Sequence, residues 1–335
     1  MDIYPLYETC EDKDKLLEVL RQKPNLDIQY EQGITIAMYA FLNCEDKDVL
    51  LEILRQKPDL NIQDVYGNTI PKYVLEYCED KDIILEVLKQ KPNLNIQYQH
   101  GYTIVMNAFL DYDDKDILLE MLKQKPDLNI QNSIGYTVAI YAFKYCNDKD
   151  ILLEILKQKP DLNIQNDDGD TVAMIAFLNC QDKDVLLEIL KQNPDLNIQN
   201  NYGNTVAMYV FRNCNNKDTL LEILKQKPNL NIQNNSGVTA IMCAFLNYQD
   251  KDVLLKILKQ KPNLTFVNDN NKTALDIALE YYVKSFNFEF DVLEKLYDEN
   301  CKQDKQLFNP KYIKLRNKHK VLPLILFRHQ KRYSC

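Results

Sequence analysis

The chain of 335 residues has 49 acidic and 41 basic side chains, a formal charge of −8, 45% hydrophobic residues and no tryptophan. That is enough apolar material for a core, yet no apolar run reaches the ~18 residues needed to span a bilayer. The opening MDIYPLYETCEDKDK lacks a basic start followed by an apolar segment, so no secretory signal is expected and an intracellular, cytoplasmic location follows.

The glycines set the organisation. All seven (Gly33, Gly67, Gly101, Gly135, Gly169, Gly203 and Gly237) recur at one constant interval, and prolines from Pro24 to Pro262 and threonines from Thr35 to Thr273 keep the same step. A fixed period of this length marks a stacked repeat array and overrides any count of globular domains from length. The expected layout is a partial repeat over 1–32, seven 34-residue copies over 33–270, a capping copy over 271–301 and a basic tail over 302–335.

Residues 33–66, GITIAMYAFLNCEDKDVLLEILRQKPDLNIQDVY, stand for the rest. Gly33 permits a positive φ and Thr35 is placed to cap a helix N-terminus. A helix of about two turns follows, IAMYAFLN. Asp46 and Asp48 begin a second helix, DVLLEILRQK, with acids at its positive end and bases at its negative end. Val49, Leu50, Ile53 and Leu54 give it one buried face, and Pro58 ends it. LNIQDVYG then alternates apolar and polar as an extended arm into the next glycine. Cys10, Cys44, Cys78, Cys146, Cys180 and Cys214 recur in phase. Helices stack ~8–10 Å apart while disulfide partners need Cα atoms within about 7 Å, so this ladder is expected to be buried filler.

The stretch GNTVAMYVF resembles the ankyrin opening Gly-x-Thr-Pro-Leu-His-x-Ala-Ala, and KPDLNIQN resembles the ankyrin closing Gly-Ala-Asp-Val-Asn-Ala-x-Asp. The resemblance covers about residues 10–300. It departs in having Val or Ile for the proline, Ala for the leucine and Met38, Met106 or Met208 for the histidine. Each copy is one residue longer than the usual 33. TALDIALEYY at 273–282 is nearer the common form. The wording of the copies is similar to ankyrin proteins of large DNA viruses, protists and intracellular bacteria, which would make the location a host cytoplasm. The resemblance implies a mainly α fold, an ankyrin-type solenoid of stacked helix-turn-helix repeats with extended hairpin-like connectors. Tetratricopeptide repeats share the period but need two longer helices and a short turn.

No chemistry suggests itself. His100, His319 and His329 are the only histidines, and neither GxGxxG nor GxxxxGK[ST] occurs. A non-enzyme without cofactor or metal is expected. The resemblance implies that partners meet the turn tips and the inward side of the first helices, on the concave face. Mapped so, the candidates are Tyr30, Tyr66, Tyr98, Tyr102, Tyr136 and Tyr202, with Asp167, Asp168 and Asp170. Large, stiff, amphipathic tyrosines suit a protein interface. Residues 70–78, IPKYVLEYC, break pattern: Pro71 enters a helix start and Lys72 takes a methionine slot.

The tail differs in substance. Residues 1–301 carry a formal −17, whereas 302–335 carry 10 basic residues and one acid around an apolar centre, Val321 to Phe327. Three readings stand: a cap on the last repeat, a recruitment motif, and a tether to nucleic acid or a membrane surface. The second rests on layout, which is similar to poxviral ankyrin proteins whose F-box-like ends engage ubiquitin-ligase subunits. The array itself is acidic, which argues against nucleic acid as a partner for it. The expected function is a scaffold or adaptor binding another protein; the alternatives are a ubiquitin-ligase substrate receptor and a basic-tail tether.

Overall fold

The computed structural model describes residues 12–112, 114–247, 250–285 and 290–303. The tail from residue 304 onward, with all three readings of it, lies outside them. The chain divides into two compact units, Met1–Asp167 and Asp168–Cys335.

The first unit contains nine described helices: α1 (Lys13–Arg21), α2 (Ile36–Asn43), α3 (Lys47–Arg55), α4 (Ile70–Tyr77), α5 (Lys81–Lys89), α6 (Ile104–Asp111), α7 (Lys115–Lys123), α8 (Val138–Tyr145) and α9 (Lys149–Lys157). The even-numbered helices are the first helices of their copies and pack side by side, α2 on α4, α4 on α6 and α6 on α8. The odd-numbered ones form a parallel row, α1 to α9. The second unit repeats the scheme. Its first helices are α10 (Val172–Asn179), α12 (Val206–Asn213) and α14 (Ala240–Asn247); its second helices are α11 (Lys183–Lys191), α13 (Lys217–Lys225) and α15 (Lys251–Lys259). It ends in the longer pair α16 (Ala274–Ser285) and α17 (Phe290–Gln303). Each unit is a mainly helical repeat stack. None of its described helices is long and apolar enough to cross a membrane.

Helices of eight or nine residues are too short to hold in water alone, so the stack must supply their stability. Part of that supply is apolar. Val49, Leu50, Ile53 and Leu54 are buried as expected, and Phe143, Phe177, Phe211 and Phe245 are fully enclosed. Burying one such side chain is worth about 2 kcal/mol.

The rest is polar and periodic. Gln29 Nε2 donates to the Gly33 carbonyl of its own turn at 2.9 Å and to the Gln63 carbonyl of the next copy at 3.0 Å. Gln63, Gln97 and Gln131 repeat both bonds in the first unit, and Gln199 and Gln233 do so in the second. A second glutamine, one per copy, donates backward: Gln90 to the Leu54 carbonyl, Gln124 to Leu88, Gln226 to Leu190. The repeated Asp-Lys-Asp forms a third ladder. Asp80 caps α5 through the amides of Asp82 and Ile83, while Lys47 reaches forward to both Asp80 and Asp82, at 3.0 and 2.5 Å. The Lys47 ammonium holds the Asp80 carboxyl below its ordinary value, and Lys81 does the same to Asp114. These pairs are exposed, so solvent screening leaves each of them a small contribution.

Two local differences from expectation have physical reasons. The second helices stop short of the proline: α3 ends at Arg55, because Lys57 turns left-handed at φ 54° and donates its amide to the Leu54 carbonyl. Cys44 is disulfide-bonded, against the expectation of an unpaired ladder. Cys78, Cys180, Cys214 and Cys243 carry free thiols.

The glutamine ladder makes a direct prediction. Gln97→Leu removes two bonds to carbonyls and is expected to cost about 1–2 kcal/mol by urea denaturation. Gln99→Leu, the same change at an exposed tip in the same turn, is expected to stay within about 0.5 kcal/mol.

Candidate functional site

The tips are built by one residue. Asp64, Asn132, Asn200, Asn234 and Asn268 each turn a side-chain oxygen onto the amides two and four residues ahead, as Asn132 does to Ile134 and Tyr136 at 3.2 and 2.9 Å. This Asx turn fixes the loop from within. In two copies a tyrosine, Tyr30 or Tyr98, takes the position. There the loop tightens into a 3-10 turn, with Gln32 and His100 left-handed at φ 59° and 61°. The tyrosine side chains thus alter the tips as well as decorate them.

The expected surface residues fall into three groups. Tyr66 and Tyr202 stand free at their tips, 55% and 63% exposed, and Asp167 and Asp168 are exposed too. Tyr30, Tyr98, Tyr102 and Asp170 are half-buried. Asp170 accepts a 2.6 Å bond from Asn200 Nδ2, so it braces the neighbouring tip of the second unit. Tyr136 corrects the expectation of an exposed tip: it is buried, its ring 5.3 Å from that of Tyr141 and capped by the Lys144 ammonium at 4.7 Å. An apolar ring one residue past the glycine folds down onto the first helix because the turn aims it there.

Five tyrosines of the first unit form one assembly, built from the turn before α6 and from α8 with its own turn. Tyr98 contacts Tyr102, Tyr102 contacts Tyr141, and Tyr141 contacts both Tyr136 and Tyr145, with centroids 5.3 to 6.5 Å apart. Tyr73 stacks on Tyr77 at 6.3 Å. Such offset and tilted pairs are worth ~0.5–1.5 kcal/mol each beyond burial. Polar contacts lock the rings. Tyr73 donates to Asp64 Oδ2, Tyr98 to the Thr103 carbonyl, and the Tyr136 hydroxyl accepts from Lys144 at 2.8 Å. Asn132 Nδ2 bonds the Tyr141 hydroxyl at 2.9 Å. Burial pushes the hydroxyls of Tyr73, Tyr98 and Tyr141 well above their ordinary value, so they remain neutral donors. Burial also draws the Lys144 ammonium downward, but the Tyr136 hydroxyl and the other ring outweigh it and its net shift is upward.

Tyr73, Tyr77, Tyr141, Tyr145, Lys72 and Lys144 were not among the candidates, although two of them show in the phase. Tyr73 and Tyr141 lie two periods apart in the slot shared with Tyr39 and Tyr209, and each is followed four positions on by a second tyrosine. That spacing is about one helical turn, so the pairs share a face. The outcome is a rigid aromatic and cationic surface from which Tyr77 and Tyr145 emerge, 55% and 48% exposed.

Among the described residues, no group of three or more His, Cys, Asp and Glu could hold a metal ion. Burial raises the thiols of Cys78, Cys180, Cys214 and Cys243, which keeps them protonated and poorly nucleophilic.

No family model and no curated protein matches the chain. Among solved structures, a chain from a complex of a predatory endopeptidase of Bdellovibrio bacteriovorus with an immunity protein is 26% identical. The match covers 58% of this chain and 96% of that one, with a TM-score of 0.44.

The burial pattern separates structural from surface tyrosines. Tyr136→Ala is expected to lower stability by about 3 kcal/mol by urea denaturation. Tyr66→Ala and Tyr202→Ala are expected to change it by less than about 0.5 kcal/mol.

Proposed function

We propose that the chain is a non-catalytic, ankyrin-type scaffold or adaptor, and that it binds a protein partner on the first-helix face and tips of the first unit. The observation behind this reading is that exposed Tyr77 and Tyr145 are each stacked on a buried tyrosine of the same helix. An aromatic side chain held in one orientation before binding loses little conformational entropy on contact, and this is the usual make-up of an interface hot spot. A tyrosine placed only by drift on a solvent-facing turn needs no such backing. Tyr66 extends the same surface at the tip preceding α4. The proposed location is intracellular, in the cytoplasm.

The ubiquitin-ligase alternative places recruitment in residues 302–335, which lie outside the described structure from residue 304 onward, and it adds a second working end without displacing the first. Both readings meet in one experiment. A nuclease-treated pull-down compares the full chain, the Tyr77→Ala/Tyr145→Ala variant and a chain ending at residue 303. Loss of partners with the tyrosine pair is expected at unchanged circular dichroism and with a lowered but still cooperative melt, with the same partners kept on truncation. Partners that survive the double substitution would remove the basis for the proposed surface. Ligase subunits that vanish only on truncation would establish the receptor reading.

A further inference from the structure

Several departures from the repeat meet between α4 and α6. Position 107 holds Asn where Tyr39, Tyr73 and Tyr141 stand in phase, and position 75 holds Leu where Phe41, Phe109 and Phe143 stand. Both changes remove bulk from the same junction, and a cleft of about 340 Å³ opens there. Leu75, Ile104 and Ala108 give it an apolar floor, and the exposed Glu76 and Asp111 stand on its rim. Tyr112, in the slot of the cysteine ladder, closes one side and donates its hydroxyl to the Leu75 carbonyl across the junction. A cleft this size is at the low end for ligand pockets and suits one side chain of a larger partner.

The charge on the rim is not balanced. Lys72 is mostly covered, its ammonium 2.6 Å from Glu76 Oε2 and 5.4 Å above the Tyr98 ring, so it is committed within the protein. Asp111 enters no ion pair among the described residues. Two carboxylates and one ammonium leave one negative charge facing the cleft. Nearby Glu79 is exposed and likewise without an ion pair among the described residues.

We infer that the α4–α6 cleft receives an arginine side chain of the protein partner. The apolar floor takes its methylene stem, the guanidinium plane lies against Tyr112, and its fork spans Asp111 and the free oxygen of Glu76. A planar, weakly hydrated guanidinium meets an aromatic wall and two carboxylates better than a compact ammonium does. This inference rests on the protein-binding reading and names the chemistry of its partner. It also gives residues 70–78 a purpose, since Lys72 in the methionine slot fixes Glu76 in place at the rim.

The test is a titration of the full chain, carbon-13-labelled at isoleucine and leucine methyls, with N-acetyl-arginine-N-methylamide. The citrulline derivative serves as the neutral isostere, and Ile104→Val assigns the reporter signal. Saturable shifts of the Ile104 and Leu75 methyls at about 1–10 mM are expected for the arginine probe and not for citrulline. Binding is expected to weaken about tenfold in Asp111→Asn and to fade with salt. Asp111→Asn alters an exposed, near-isosteric group, and Glu76→Gln gives a second such variant if the first misfolds. Equal shifts with citrulline, or no movement of these methyls with arginine, would overturn the assignment. Partner capture unaffected by Asp111→Asn would overturn the link to a partner. The titration does not depend on Tyr77 or Tyr145, so its failure leaves the tyrosine surface standing, and loss of that surface is read separately in the pull-down.

Discussion

One side-chain amide per copy holds the connectors together. A glutamine such as Gln63 donates to the Gly67 carbonyl of its own turn and to the Gln97 carbonyl of the next copy. The connectors contain almost no backbone ladder: isolated bridges, such as Gln29 with Thr35 and Gln97 with Thr103, are the strand-like pairing they show. Backbone groups in such loops must be paired elsewhere, and the glutamine supplies the partner at the copy-to-copy step. Because each bond spans one full period of the sequence, the chain has to rewrite the same words at the same interval. The glycine that accepts the bond is equally fixed. A Cβ on Gly135 would lie 2.8 Å from Asn166 Cα, with φ at 73°.

With the connectors held, the short helices gain the neighbours they need. Thr35, Thr103 and Thr137 cap the first helices, and aspartates such as Asp46, Asp80 and Asp114 cap the second. In the second unit the last copy changes the device: Thr273 and Asp276 exchange bonds reciprocally, and Gln303 closes the end by bonding the Leu264 amide and the Pro262 carbonyl. Repetition thus serves stability, and positions released from it make up the proposed binding surface. Tyr77, Tyr145, Asn107 and Leu75 are all departures of this kind within the first unit.

Much of the architecture was legible because its cause is local. The eight residues IAMYAFLN form the first helix over Ile36–Asn43, and Thr35 caps it, since an apolar run and a capping residue act within one turn. The ladders were not legible as such. A glutamine in NIQ looks like any polar connector residue until the neighbouring carbonyl is seen beside it. The tips were misread where position alone was used. Tyr136 follows its glycine as Asn204 and Asp170 do, yet its ring is driven onto Tyr141 by burial, whereas Tyr66 precedes the glycine and stays in water. The α4–α6 cleft arises from two losses of bulk, at positions 75 and 107, and sequence order does not reveal that they face one junction.

The central claim is that repeated residues hold the stack while departures in the first unit bind. Two in-frame excisions of one period separate these roles: residues 101–134, which remove α6, α7 and Tyr102 of the aromatic assembly, and residues 203–236, which remove α12 and α13. Each joins a tip to a glycine in register, so both products are expected to keep helical circular dichroism and a cooperative melt. Partner capture, measured on the two products side by side, is expected to be lost in the first and kept in the second. Capture kept by the first and lost by the second would contradict the claim.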